Sequence, residues 1–223
     1  PDNKSQNIPF HQALTKRAVV LFISLFLLSE SSAVSAGNYG LEIVQKLETT
    51  QQNNTLAEAE KLIKEGFQLF KQGTAESLVK AREKFQAALV LWKKLEDKSW
   101  QAVTLLGIGG VYSDLGEKQK ALSYYNQALP LLRAVGDRRT EASTLGNLAD
   151  LERKQGNLQA SLKHIQDSIQ IIEELRGTYT NQDLKTTYFA TVQGYYKLYI
   201  DLLMELHKKD PSKGYNALAL HIS

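Results

Sequence analysis

This sequence predicts an all-α fold of stacked helical hairpins, and three observations carry that prediction. Residues recur at a spacing of forty, apolar side chains within each unit fall three and four apart, and glycine returns at the same place in each unit. Ala102, Thr104, Leu105, Gly116, Gln119 and Leu122 reappear as Ala142, Thr144, Leu145, Gly156, Gln159 and Leu162. Upstream, Ala81, Phe85, Ala88 and Leu89 fall on Ala121, Tyr125, Ala128 and Leu129. For the first half of that unit the offset is forty-three, which sets Leu62, Gly66, Leu69 and Gly73 on Leu105, Gly109, Tyr112 and Gly116. A three-residue insertion after Gly73 accounts for the change.

The composition agrees. Of 223 residues, 43% are hydrophobic and 23% charged, with four prolines and no cysteine. This excludes collagen-like, disulfide-framed and disordered chains, and with them thiol catalysis and Cys-ligated zinc. The 27 basic residues are interleaved with 24 acidic ones, leaving a net charge of +3, so no basic stripe points to nucleic acid.

The N-terminal segment 1–36 reads as an export signal. Lys16 and Arg17 precede an apolar run over 18–28, too short to cross a bilayer, and Val34 and Ala36 are the small residues a signal peptidase accepts. The cut is expected after Ala36, with no membrane span left after it and an exported, periplasmic or envelope-associated product; an uncleaved anchor or a core helix is the alternative. Residues 37–55 read as a linker. Helices are expected over 56–72, 75–96, 98–115, 117–135, 138–155 and 158–176, forming three hairpins across 56–176. Gly73, Gly116 and Gly156 stand where the first helix of each pair ends. Gly66, Gly109 and Ala149, facing Ala81, Ala121 and Ser161, allow close axes, and Phe85, Tyr125 and Ile165 fill the space between pairs. Pro130 removes the bond to the Asn126 carbonyl and should kink its helix.

The pattern Leu105, Ile108, Gly109, Tyr112, Gly116, Ala121, Tyr125, Ala128 resembles the tetratricopeptide consensus, with Glu152 at an aromatic position of the third unit. The forty-residue spacing resembles the longer class found in kinesin light chains and G-protein-signalling modulators. The resemblance implies a tetratricopeptide-type solenoid whose first helices line a concave groove for a protein or peptide.

Beyond Arg176 the spacing fades. Tyr188, Val192, Tyr195, Tyr199, Leu202 and Leu206 form a helical stripe, so one helix is expected over 182–208, ended by Asp210-Pro211. Six of the ten tyrosines lie within 179–215, a concentration that suits packing or a ligand cage. The stretch 182–223 resembles the region joining tetratricopeptide repeats to a CHAT domain in bacterial, especially cyanobacterial, proteins. It implies C-terminal helices over 177–223 leading to a caspase-like cysteine-protease domain beyond Ser223, with this chain as its substrate-presenting or regulatory region. The apolar pattern Tyr215, Leu218, Ala219, Ile222 also suggests self-association.

No catalytic, metal or cofactor site is expected, so the chain reads as a scaffold and not an enzyme. Gly107, Gly109 and Gly110 lie inside a helix with Tyr112 at the third fingerprint position, and His11, His164, His207 and His221 lack the spacing of a metal pair. What remains is recognition. By register the inner wall carries Phe67 and Lys71, then Leu106, Gly110, Ser113 and Asp114, then Asn147, Asp150 and Lys154. The resemblance gives Asn147 the role of bonding a peptide backbone, since a carboxamide both donates and accepts. Tying neighbouring helices together is its other reading, and Gly107 replaces the asparagine at the equivalent position.

Overall fold

The computed structural model describes the backbone of residues 33–178 and 182–222, and the side chains of 41–177 and 192–221. The expected export signal lies, up to residue 32, outside the described residues, as does His11. The described elements are α1 (Ala33–Phe70), α2 (Ala75–Lys94), α3 (Lys98–Asp114), α4 (Lys118–Val135), α5 (Arg138–Lys154), α6 (Leu158–Thr178) and α7 (Gln182–Lys209). A 3-10 turn at Pro211–Lys213 and α8 (Tyr215–Ile222) follow. There is no strand among the described residues, and no helix there is long and apolar enough to cross a membrane.

The chain divides into two units, Pro1–Asn54 and Thr55–Ser223. The stretch 37–55, expected as a linker, is helical, and α1 begins well before the expected 56. Apolar periodicity fades there, but no Gly or Pro falls within 41–55, so nothing stops the helix over that stretch. Within this first unit Leu41, Ile43 and Leu47 are exposed.

In the second unit the hairpins fall where expected. Gly116 and Gly156, with φ of 76° and 83°, reverse the chain after α3 and α5, a left-handed conformation that a Cβ would strain. The second reversal type is capped by aspartate: the Asp97 carboxylate accepts from Trp100 N at 2.9 Å, and that of Asp137 from Thr140 N at 3.0 Å. The three extra residues after Gly73 extend the start of α2, whose first turn is capped by the Thr74 hydroxyl accepting from Ser77 N at 3.1 Å. Pro130 is accommodated inside α4. Both Pro130 and Asn126 are exposed, so water can take the carbonyl that proline leaves unbonded.

Small residues set the spacing between helices. A Cβ on Gly66 would lie 2.6 Å from the Phe85 ring and one on Gly109 2.5 Å from the Tyr125 ring, so each aromatic occupies the space its glycine leaves open. Ala81, Ala88, Ala121 and Ala128 are fully buried at the matching places of α2 and α4. In the third hairpin Ser161 and Ser168 replace the last two, equally buried, and their hydroxyls donate to the Ala149 and Ala142 carbonyls at 2.7 Å. Glu141 is buried there as well. Its carboxylate accepts from Arg133 Nε at 2.7 Å and Arg138 Nη1 at 2.6 Å, and Arg138 Nη2 reaches Glu174 at 2.6 Å, joining α4, α5 and α6.

Beyond the third hairpin, α7 packs on α6 and α5, and α8 on α7. Val192, Tyr199, Leu202 and Leu206 of the tyrosine-rich stripe are buried and Tyr195 is half-buried, which is the packing reading; the Tyr188 side chain lies outside the described residues.

Candidate functional site

The inner-wall residues fall into two groups of different chemistry. The first lies on α1 and α3. Phe67 is half-buried, its ring meeting the edge of Phe85 at 5.0 Å and 70°, and Leu106 packs against the same core. Gly110 lies under the Phe70 ring, 3.3 Å from where a Cβ would stand. Phe70 therefore belongs to this apolar floor. It stands one turn after Phe67 in α1, a spacing from which its place is readable. Ser113 is half-buried beyond it, Lys71 and Asp114 are exposed at the helix ends, and Gly107 is buried against Phe85. A ligand thus reaches no side chain at the place where the next hairpin carries its asparagine.

Nearby Tyr125 is buried at 6% exposure, and burial together with the Asp114 charge and the neighbouring Tyr195 pushes its hydroxyl up to about 12. It stays a neutral phenol at physiological pH.

The second group lies on α5. Asn147 is exposed, and its carboxamide has no hydrogen-bond partner among the described residues. One turn on, Asp150 and Lys154 pair with each other at 2.6 Å, so their charges are met along the helix. The Lys154 carbonyl also accepts from Lys118 Nζ at 3.1 Å. No bond links these three residues to the apolar group among the described residues.

A neighbour that the sequence pattern did not place here is α7. The Tyr195 ring presses on Gly146, its hydroxyl donates to the Ser143 carbonyl at 3.3 Å, and Arg153 pairs with Glu205 at 3.0 Å. The stripe from Val192 to Leu206 marks α7 as a packed helix, but the partner across Gly146 lies forty-nine positions away and outside the repeat register. Burial holds the Tyr195 hydroxyl above its ordinary value, with the bond to Ser143 opposing in part.

Chemically the wall offers an apolar floor, one free carboxamide, and charges of both signs that are balanced or at the rim. Among the described residues no three His, Cys, Asp or Glu side chains gather as a metal site.

Models of the tetratricopeptide repeat match residues 73–134 and 142–182. Among solved structures, the chain is similar to the tetratricopeptide domain of Arabidopsis FLU, at 22% identity and a TM-score of 0.50, over 54% of this chain and 98% of that one. It is also similar to a putative kinesin light chain of Podospora anserina with nearly identical repeats, at 12% identity and a TM-score of 0.47, over 74% of this chain and 87% of that one. No curated protein matches the sequence. Residues 73–134 and 142–182 are therefore tetratricopeptide repeats, and the fold is an all-α solenoid of the tetratricopeptide type.

Proposed function

We propose that this chain is a protein-interaction scaffold that holds an extended peptide or a partner segment along the inner helices of its repeats. The observation that carries the reading is Asn147. An exposed carboxamide with no partner in its own fold, on the helix face that the repeat register turns inward, offers a donor and an acceptor to a peptide group. Phe67, Phe70 and Leu106 give the same segment an apolar contact. Because Asp150 and Lys154 already satisfy each other, backbone bonding and apolar burial are the main terms, and the affinity should respond weakly to salt.

A photo-crosslinking amino acid placed at Asn147 tests this against one at Asn126, exposed on α4. Labelling of a discrete protein from position 147 and not from 126 supports the groove. Equal labelling from both, or none, removes it. Asn147→Ala should then weaken binding by about 1 to 3 kcal/mol, since it strips a partner from a desolvated peptide group, with the melting curve unchanged.

Substrate presentation to a CHAT protease-like domain is a narrower role, supported by the sequence resemblance of 182–223. Finding a His and a Cys encoded downstream of Ser223 would favour it. The order of basic, apolar and small residues over 16–36 supports export, and the N-terminal sequence of the periplasmic protein is the test: a chain beginning at Gly37 agrees with it, and a cytosolic chain retaining 16–36 refutes it.

A further inference from the structure

We infer that the cleft between the α5–α6 turn and the end of α7 is a second binding site, built for a carboxylate carried on one apolar group of side-chain size. The cleft measures about 260 Å³ and is open to solvent. Its lining includes Leu158 and Leu206, which are 5% and 4% exposed and belong to one core cluster. The two leucines form a small apolar floor under a polar rim, and a cleft of this size accepts a phenyl or isobutyl group with its head group.

The rim supplies the sign of the head group. Lys209, Asp210 and Lys213 line the cleft together. Asp210 is spent within its own turn, since its carboxylate accepts from Ser212 N at 3.2 Å and Ser212 Oγ at 2.5 Å and meets Lys213 Nζ at 3.8 Å. The Ser212 hydroxyl is the main cause that holds the Asp210 carboxyl below its ordinary value, so it stays an anion with its bonds made. Lys209 has no ion-pair partner among the described residues. One cation is therefore left over beside an apolar surface, where a carboxylate is attracted more strongly than in open water. Tyr215 and Gln159 complete the lining, and their side chains, unbonded among the described residues, offer further donors. No residue of this cleft belongs to the inner wall, so the inference stands apart from the groove reading.

Two ligands share this chemistry, a free small carboxylic acid and the C-terminal carboxylate of a peptide ending in an apolar residue. The full chain, labelled with nitrogen-15, is titrated with 3-phenylpropanoate, with 3-phenylpropanamide, and with the peptide Gly-Ser-Gly-Phe bearing a free or an amidated terminus. Each carboxylate is expected to shift the amides of Leu158, Gln159, Leu206 and Tyr215 and to bind at least about tenfold more tightly than its amide. A peptide binding at least about tenfold more tightly than 3-phenylpropanoate assigns the site to chain ends, and equal binding to small acids. The double variant Lys209→Gln, Lys213→Gln should bind the acid no better than the amide, and Gln159→Trp, at an exposed rim position, should block both. Amides that bind as well as acids, a lysine variant that binds unchanged, or no shifts at millimolar ligand would overturn the inference.

Discussion

In the second hairpin Gly109 leaves space that the Tyr125 ring fills; forty residues on, the same two places hold Ala149 and Ile165. The substitution is reciprocal, a methyl gained on one side and an aromatic ring given up on the other. A second pair changes without compensation in size. Tyr112 and Tyr124 stack at 5.4 Å in the second hairpin, and the third has Glu152 and His164 in their places. Where Ala121 and Ala128 pack silently, Ser161 and Ser168 donate to the facing helix. One backbone geometry is thus held by aromatic packing in one repeat and by buried polar bonds in the next; size is traded across the Gly109–Tyr125 contact, and polarity is free where each buried donor finds an acceptor.

Exchanging halves of the reciprocal pair should have the largest effect on stability. Gly109→Ala places a methyl against the Tyr125 ring, which is 6% exposed and has little room to yield. Helix propensity returns about 1 kcal/mol of an overpacking cost near 3, leaving a loss of about 2. Tyr125→Ile alone opens a cavity and should cost about 2 to 4 kcal/mol. Together the two recreate the third hairpin's pair, and denaturant melts of the four proteins should give a favourable coupling of at least about 1 kcal/mol. Additive losses would mean that size is not traded across this contact.

Next in size is the buried carboxylate found only in the third hairpin. Glu141→Ala removes the acceptor shared by Arg133 and Arg138 and leaves a void at a site 2% exposed. The two arginines keep 56% and 43% of their side chains in solvent, so their charges rehydrate and the cost stays near 2 kcal/mol, below that of stranding a buried charge. The second hairpin carries Gln101 at the equivalent place, a neutral side chain whose Nε2 donates to the Trp92 carbonyl at 3.1 Å. Gln101→Ala should therefore cost less than half as much by the same melt, and an equal loss would remove the charge from the account of this difference.

The hairpin boundaries were legible because the forty-residue period agrees with glycine at the turns within hairpins and with aspartate caps at the turns between them. The exposure of Asn147 was readable by register too, since a repeat carries face as well as phase. Three features were not. The helical reach of α1 before residue 56 has no buried stripe over 41–55 to announce it, and over those residues no Gly or Pro interrupts it. The contact of Tyr195 with Gly146 lies outside the forty-residue register, so no self-comparison could pair them. Glu141 reads as an ordinary charged residue in the first turn of a helix, and only its distance to two arginines shows that it is buried and bonded.

A smaller effect separates the serines from the alanines. Ser168→Ala deletes a donor to the Ala142 carbonyl, but that oxygen lies within α5, where a helix bond already serves it, so no buried group is stranded. The loss should be about 1 kcal/mol or less. Ala128→Ser, the reverse exchange, should be tolerated within the same margin if the second hairpin offers its Ala102 carbonyl as the third offers Ala142. A loss well above that would show that α3 and α4 lack the third hairpin's acceptor geometry.

The last exchange shows itself through pH. Burial, the largest cause, holds the His164 imidazole below its ordinary value of 6.5; Lys163 and Arg133 act the same way, while Glu152 and Asp167 oppose it. Its Nδ1 is buried without a partner, so the fold favours the neutral ring. The unfolded chain then binds the proton more readily than the folded one. Stability is unaffected by this group above about pH 6.5, declines as pH falls from there through the lower folded value, and levels off once both states are protonated. Less than one proton is involved, which limits the slope to below about 1.4 kcal/mol per pH unit. Glu174, held below 4.5 by Arg138, acts only at more acid pH and does not share the window. His164→Tyr installs the residue that the second hairpin carries at this place and should flatten the decline in urea melts taken stepwise from pH 7 downward. A slope that survives the substitution would assign the proton to another group and remove His164 from the account of how the third hairpin differs.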